Sequence, residues 1–123
     1  MKYLILIYSN PQSRAIWEGF SDTQRAEGLR YYAAFREDLA ASGELIVAER
    51  LADLSLTKRV TARDGQTMTT DGPFAEVKEH LAGFFLIECE SLARALEHAA
   101  RVPEAAVGLV EVRPVLDPRG MEL

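Results

Sequence analysis

The sequence predicts an α+β fold with one antiparallel sheet and two helices packed on one face of it. Three observations carry this reading. Strand-like and helix-like segments follow one another as strand–helix–strand, twice. A Thr-rich hairpin, turning at Asp64-Gly65, separates the two units. The first strand is apolar on both faces, which places it in the sheet interior with both sides covered.

Residues 2–8 (Lys-Tyr-Leu-Ile-Leu-Ile-Tyr) form that first strand, and Ser9-Asn10-Pro11 breaks it. Trp17 and Phe20 are expected in a short, irregular connection. Ser21 through Gln24 is a capping box, so a helix should begin after Ser21 and run to about residue 41, where Ser42-Gly43 stops it. At 100° per residue, Leu29, Tyr32, Ala33, Phe35, Leu39 and Ala40 share its apolar arc. Arg25 and Arg36 fall inside the same arc. Residues 44–51 form the second strand. Residues 57–63 and 66–70 form the hairpin, because Asp-Gly suits the two-residue turn that twists with its strands. Its weak apolar alternation predicts a solvated lobe. Residues 83–89 are another buried strand. Ser91 caps a helix over 92–101, with Leu92, Ala95, Leu96 and Ala99 as its buried stripe, and Val102-Pro103 ends it.

Residues 107–115 form the last strand, with Val110 and Val112 on one face and Leu109, Glu111 and Arg113 on the other. Pro114 places its end at a sheet edge. The order is the split βαβ of ferredoxin-like folds, with the hairpin inserted. The helices cover one face. The other carries too much apolar surface for water, so a homodimer is expected.

A length of 123 residues suits a single domain over 1–123. Apolar residues are 48% and charged residues 27%, the balance of an ordinary globular chain. The net charge of −5 argues against direct nucleic-acid binding, which requires cations to neutralise phosphates. Cys89 is the one cysteine, so no internal disulfide can form, and a reducing compartment fits. The apolar run near the start is too short for a signal-peptide core, and nothing approaches the about 20 apolar residues of a membrane helix. A cytoplasmic protein with no membrane association is expected. His80 and His98 match no zinc spacing, and Gly-rich phosphate loops and dinucleotide fingerprints are absent, so no metal, flavin or haem is expected.

The run from Thr69 through Asp71-Gly72-Pro73-Phe74-Ala75-Glu76-Val77-Lys78-Glu79 to Gly83-Phe84 is distinctive. With the opening Met-Lys-Tyr strand and the closing Val110 to Val115 segment, it resembles the DGPF-domain proteins of the YCII-related family. The resemblance spans nearly the whole chain. It implies a ferredoxin-like subunit pairing into a dimeric α/β barrel. Some members are associated with extracytoplasmic-function sigma factors. A YCII-like relative is a dehydrochlorinase that eliminates HCl from a chlorinated aromatic diol, and relatives point to a His–Asp pair as a catalytic unit. The resemblance sets Tyr32 where many members have a first-helix histidine, and Val102 where the aspartate stands.

Several residues are candidates for chemistry, each with a second, purely structural reading. Asp71 sits at the mouth of a pocket walled by Phe74, or Asp71-Gly72-Pro73-Phe74 is simply a turn. Glu76 faces that pocket, or belongs with Lys78 and Glu79 to a solvated loop. Tyr32 and Arg36, four apart on one helical face, can anchor a carboxylate or enolate, with the guanidinium lowering the phenol's pKa. Alternatively Tyr32 is a core aromatic and Arg36 snorkels past it. Glu111 and Arg113 line a cavity on the open side, or pair between subunits. Tyr32, Arg36, Asp71 and Arg113 are expected to converge on one cavity, at the sheet edge or across the dimer.

Two functions fit. One is a cofactor-free lyase or isomerase on a small acidic or phenolic compound. Tyr32 or Asp71 would move the proton, and Arg36, Phe74, Glu76, Glu111 and Arg113 would bind. The other is a non-catalytic accessory or ligand-sensing protein working with a sigma factor.

Overall fold

A computed structural model describes residues 1–74 and 77–120. In chain order these form β1 (Lys2–Ser9), α1 (Pro11–Glu18), α2 (Asp22–Ala41), β2 (Leu45–Arg50), β3 (Lys58–Arg63), β4 (Gln66–Asp71), β5 (His80–Glu88), α3 (Leu92–Ala100) and β6 (Val110–Pro114). Short 3-10 turns cover Leu54–Leu56 and Pro103–Val107. The main sheet has the order β2-β5-β1-β6, antiparallel at every pairing, and β3 and β4 form a separate two-stranded sheet. This is a mixed α+β architecture, and the chain by itself closes no barrel.

Alternation along β1 divides the sheet into two faces. Tyr3, Ile5 and Ile7 point to the helices, with Ile87 and Phe85 beside them on β5 and Ala48 on β2. Phe35 and Leu39 of α2 and Ala95 and Ala99 of α3 close this core. The Phe35 and Phe85 rings meet edge-on at 5.1 Å, a favoured aromatic geometry. Leu4 and Leu6 point to the opposite face, opposite Leu86 and Phe84. Among the described residues, α2 and α3 both pack on the first face, and Leu4, Leu6, Phe84 and Leu86 stay only half-buried.

The capping box at Ser21 and Gln24 forms as expected, each side chain bonded to the other's backbone N–H. The Asp64-Gly65 turn also forms. Both residues have positive φ, 52° and 76°, as this tight hairpin turn demands. Both strands of the hairpin are exposed along their whole length. Gly83 marks a close approach in the main sheet: a Cβ there would lie 2.9 Å from the Glu49 carbonyl oxygen.

Four local expectations are corrected. The segment holding Trp17 is helix α1, not an irregular connection. Asn10 accepts the Ser13 N–H at 2.8 Å, and the Ser13 hydroxyl oxygen accepts the Asn10 N–H at 2.9 Å, with Pro11 in the first helical turn. Arg25 then binds the end of α1, donating to the carbonyls of Trp17 and Glu18 at 3.1 and 2.7 Å. On α2 the buried arc is narrower than its composition predicts. Phe35 and Leu39 are buried and Tyr32 is half-buried, while Leu29, Ala33 and Ala40 are exposed. On α3 the stripe is rotated. Ala95, His98 and Ala99 are buried, and Leu92 and Leu96 are exposed. With Ala95, His98 and Ala99 on the core-facing side, the larger leucines fall on the outward side. The last strand also starts later than expected, because Val107 belongs to the 3-10 turn and Gly108 reverses the chain at φ 74°.

Candidate functional site

Three polar side chains, Tyr32, Glu104 and Arg50, meet toward the end of the sheet where β1 finishes. Tyr32 projects from the middle of α2 toward the 3-10 turn after α3, and its hydroxyl donates to the Glu104 carboxylate. Glu104 is placed by Pro103, which starts that turn. Arg50, two residues beyond the buried Ala48, ends β2 on the helix side of the sheet. Burial pushes the Tyr32 phenol well above its ordinary value of 10.0. The hydrogen bond to Glu104 and that carboxylate's charge push the same way, while Arg50 pulls against them. The shift is therefore upward, the reverse of the lowering expected from an arginine on the same helix. Desolvation and a carboxylate neighbour both oppose a phenolate, and together they outweigh the cation. Tyr32 is a neutral phenol with a carboxylate behind it.

Arg36 lies one turn beyond Tyr32 but is exposed, and the cation that acts on the Tyr32 phenol is Arg50. Asp71 ends β4, exposed, and pairs with Lys58 across the hairpin. The next residue, Gly72, has φ 85°, and its N–H bonds the Thr57 carbonyl at 2.8 Å, so this stretch performs the turn chemistry of its sequence. Phe74 is exposed, with the Arg59 guanidinium 4.4 Å from its ring centre. It helps to line an open cleft of about 440 Å³ between the hairpin and the start of β5. Glu76 lies outside the described residues.

Glu111 and Arg113 point to the open face, since Val110 and Val112 pack on the core. Glu111 raises the Tyr8 phenol above its usual value by hydrogen bonding and by its charge, with desolvation adding and Arg113 opposing. These three side chains border the apolar floor of Leu4, Leu6, Phe84 and Leu86. The structure thus brings Glu111 and Arg113 together with Tyr8. Tyr32 and Arg113 lie on opposite faces of the sheet, so one chain does not gather Tyr32, Arg36, Asp71 and Arg113 in a single cavity.

Two groups escaped the sequence reading. Glu104 and Arg50 are distant in sequence from Tyr32, and no local pattern links them. The second group is at the other end of the sheet. Glu44 accepts from Arg94 Nε and Nη2 at 3.2 and 3.1 Å, and lies 3.0 Å from His98 Nε2. The Arg94 hydrogen bonds, helped by Ser42 and His98, hold the Glu44 carboxyl down at about 2 although partial burial acts against this. Here a signal existed: Arg94 and His98 are four apart, so one α3 face presents both to a single acceptor. Among the described residues, no three His, Cys, Asp or Glu side chains cluster to hold a metal ion. No helix of the described residues is long and apolar enough to cross a membrane.

Comparison with known proteins agrees with the distinctive central run. An uncharacterised protein of Rhizobium meliloti (strain 1021) is 33% identical over 117 residues, covering 94% of this chain and 92% of that protein. The family profile described as the YCII-related domain matches residues 1–119. With that span matched almost end to end, the chain belongs to the YCII-related family.

Proposed function

We propose that this protein is a cofactor-free acid–base catalyst, a lyase or isomerase, for a small phenolic or acidic compound. The observation that carries the reading is the Tyr32–Glu104 hydrogen bond beside Arg50. A phenol whose proton already points at a carboxylate keeps its oxygen lone pairs free to accept. A substrate hydroxyl that donates to the Tyr32 oxygen completes a relay. The substrate O–H breaks, Tyr32 takes that proton, and the original Tyr32 proton passes to Glu104. The substrate is left as an oxyanion, and Arg50 supplies the compensating charge. Such an anion then expels a leaving group or shifts a double bond. Arg36, one turn beyond Tyr32, is the further cation available to an acidic substrate.

The strand order and crossovers support a ferredoxin-like subunit, and the bare apolar face supports pairing of two subunits through their sheets into a barrel. Glu111 and Arg113 would then meet the partner subunit. The exposed Leu56, Val60 and Met68 of the hairpin region favour a second reading, an accessory protein that docks on a macromolecule such as a sigma factor.

Catechol is the probe that separates these readings. Titrated into isotope-labelled protein, it is expected to shift the amide signals of Tyr32, Glu104 and Arg50, and Tyr32→Phe is expected to abolish those shifts. Catechol shifts that spare this end of the molecule, or that survive in Tyr32→Phe, would overturn the catalytic assignment.

A further inference from the structure

The cleft beside the hairpin has a chemistry distinct from the Tyr32 site. Val60, Pro73, Phe74, Val77 and Leu81 supply its apolar lining. Its volume of about 440 Å³ is that of a pocket for a one-ring compound. Arg59 stands over Phe74 with its guanidinium carbon 4.4 Å from the ring centre. Contact with the ring seats the guanidinium at the cleft, and its N–H donors remain for a ligand. Those donors have no acceptor among the described residues, whereas the neighbouring Lys58 is held by Asp71. Arg59 is thus a cation already seated on an aromatic ring before a ligand arrives.

We propose that this cleft binds a small carboxylate with an apolar body, the carboxylate on the edge of the Arg59 guanidinium and the body against Phe74, Pro73 and Leu81. A planar carboxylate matches the fork through two parallel N–H···O bonds. The apolar wall gains from covering Phe74, which is 57% exposed in a region otherwise rich in Thr. The orientation is set by charge. Glu79 lines the same cleft and repels a carboxylate, so the anionic end sits at Arg59 and the body extends away from it. The site does not depend on the Tyr32 relay.

Benzoate, acetate, benzamide and inorganic phosphate, titrated into isotope-labelled protein, test the assignment. Benzoate is expected to shift the amides around Arg59, Phe74 and Leu81, with affinity at least about tenfold above acetate, benzamide and phosphate. Arg59→Gln and Arg59→Lys are both expected to weaken benzoate about tenfold, since lysine keeps the charge but lacks the planar fork. Both strands of the hairpin are exposed throughout, so these variants should melt with the unchanged protein, and a melting curve verifies it. Tyr32→Phe is expected to bind benzoate normally, which separates this site from the relay. Benzoate affinity retained in Arg59→Gln, or phosphate binding as tightly as benzoate, would overturn the proposal.

Discussion

Glu44 shows how far a single residue's partners can move its chemistry. Its carboxyl is held at about 2 against an ordinary 4.5, chiefly by the Arg94 fork. A carboxyl with a lowered folded-state pKa stabilises the fold above its unfolded value and loses that contribution as pH falls through the folded one. The Glu44 contribution is therefore complete above about pH 5 and fades between about 4.5 and 2. Thermal melts of Glu44→Gln are expected to fall below those of the unchanged protein at pH 7, and the gap should narrow steadily toward pH 2.5. Tyr32→Phe tests the opposite end of the sheet. It leaves the half-buried Glu104 carboxylate without its donor, so urea unfolding should show a loss of about 1–2 kcal/mol. Arg36→Ala, by contrast, removes an exposed side chain and should leave the melting temperature within a few degrees.

The two successive helices give a contrast between elements of similar chemistry. Both begin with a capping box, yet α1 buries no residue completely, while α2 buries Phe35 and Leu39. Removing a cap costs about 1 kcal/mol of helix stability. In Ser21→Ala that loss should appear in global urea unfolding, because α2 is part of the core. In Asn10→Ala it should appear instead as faster amide exchange within α1, with global stability nearly unchanged, because α1 can open by itself. The β2–β5 pairing supplies a harsher test. Gly83→Ala would drive a Cβ to 2.9 Å from the Glu49 carbonyl, a backbone atom that cannot rotate away. A loss of about 1–3 kcal/mol on urea unfolding is expected, as in other overpacked sites.

At the scale of the whole molecule, the uncovered sheet face decides how the protein behaves in solution. Leu4, Leu6, Phe84 and Leu86 form an apolar floor that remains partly exposed in the single chain. Contiguous apolar surface of this kind marks an interaction site. Sedimentation at micromolar concentration is expected to give a homodimer. Leu6→Asp, in the middle of that floor, should give a monomer with an unchanged far-ultraviolet circular dichroism spectrum. A dimer persisting in Leu6→Asp would place the interface elsewhere.

Much of this molecule was readable in the sequence alone. The β1 segment, the Ser21 cap, the Asp64-Gly65 turn and the Val110/Val112 alternation are local patterns, and their physics acts over a few residues. The YCII-related membership was readable as well, from the run around Asp71 to Phe74. Helix α1 was also written locally, in Asn10, Pro11 and Ser13, but its few apolar residues give no stripe to betray it. Other features depended on the tertiary structure. Leu92 and Leu96 have the composition of a buried stripe, yet Ala95, His98 and Ala99 take the core-facing side of α3 and leave them outward. Tyr32 acquired a raised pKa because the fold half-buries it and then sets Glu104, 72 positions away, against its hydroxyl. The Glu44–Arg94–His98 cluster likewise joins a strand's beginning to a helix face. Hydrogen bonding and desolvation act between neighbours in space, and the sheet order chooses those neighbours.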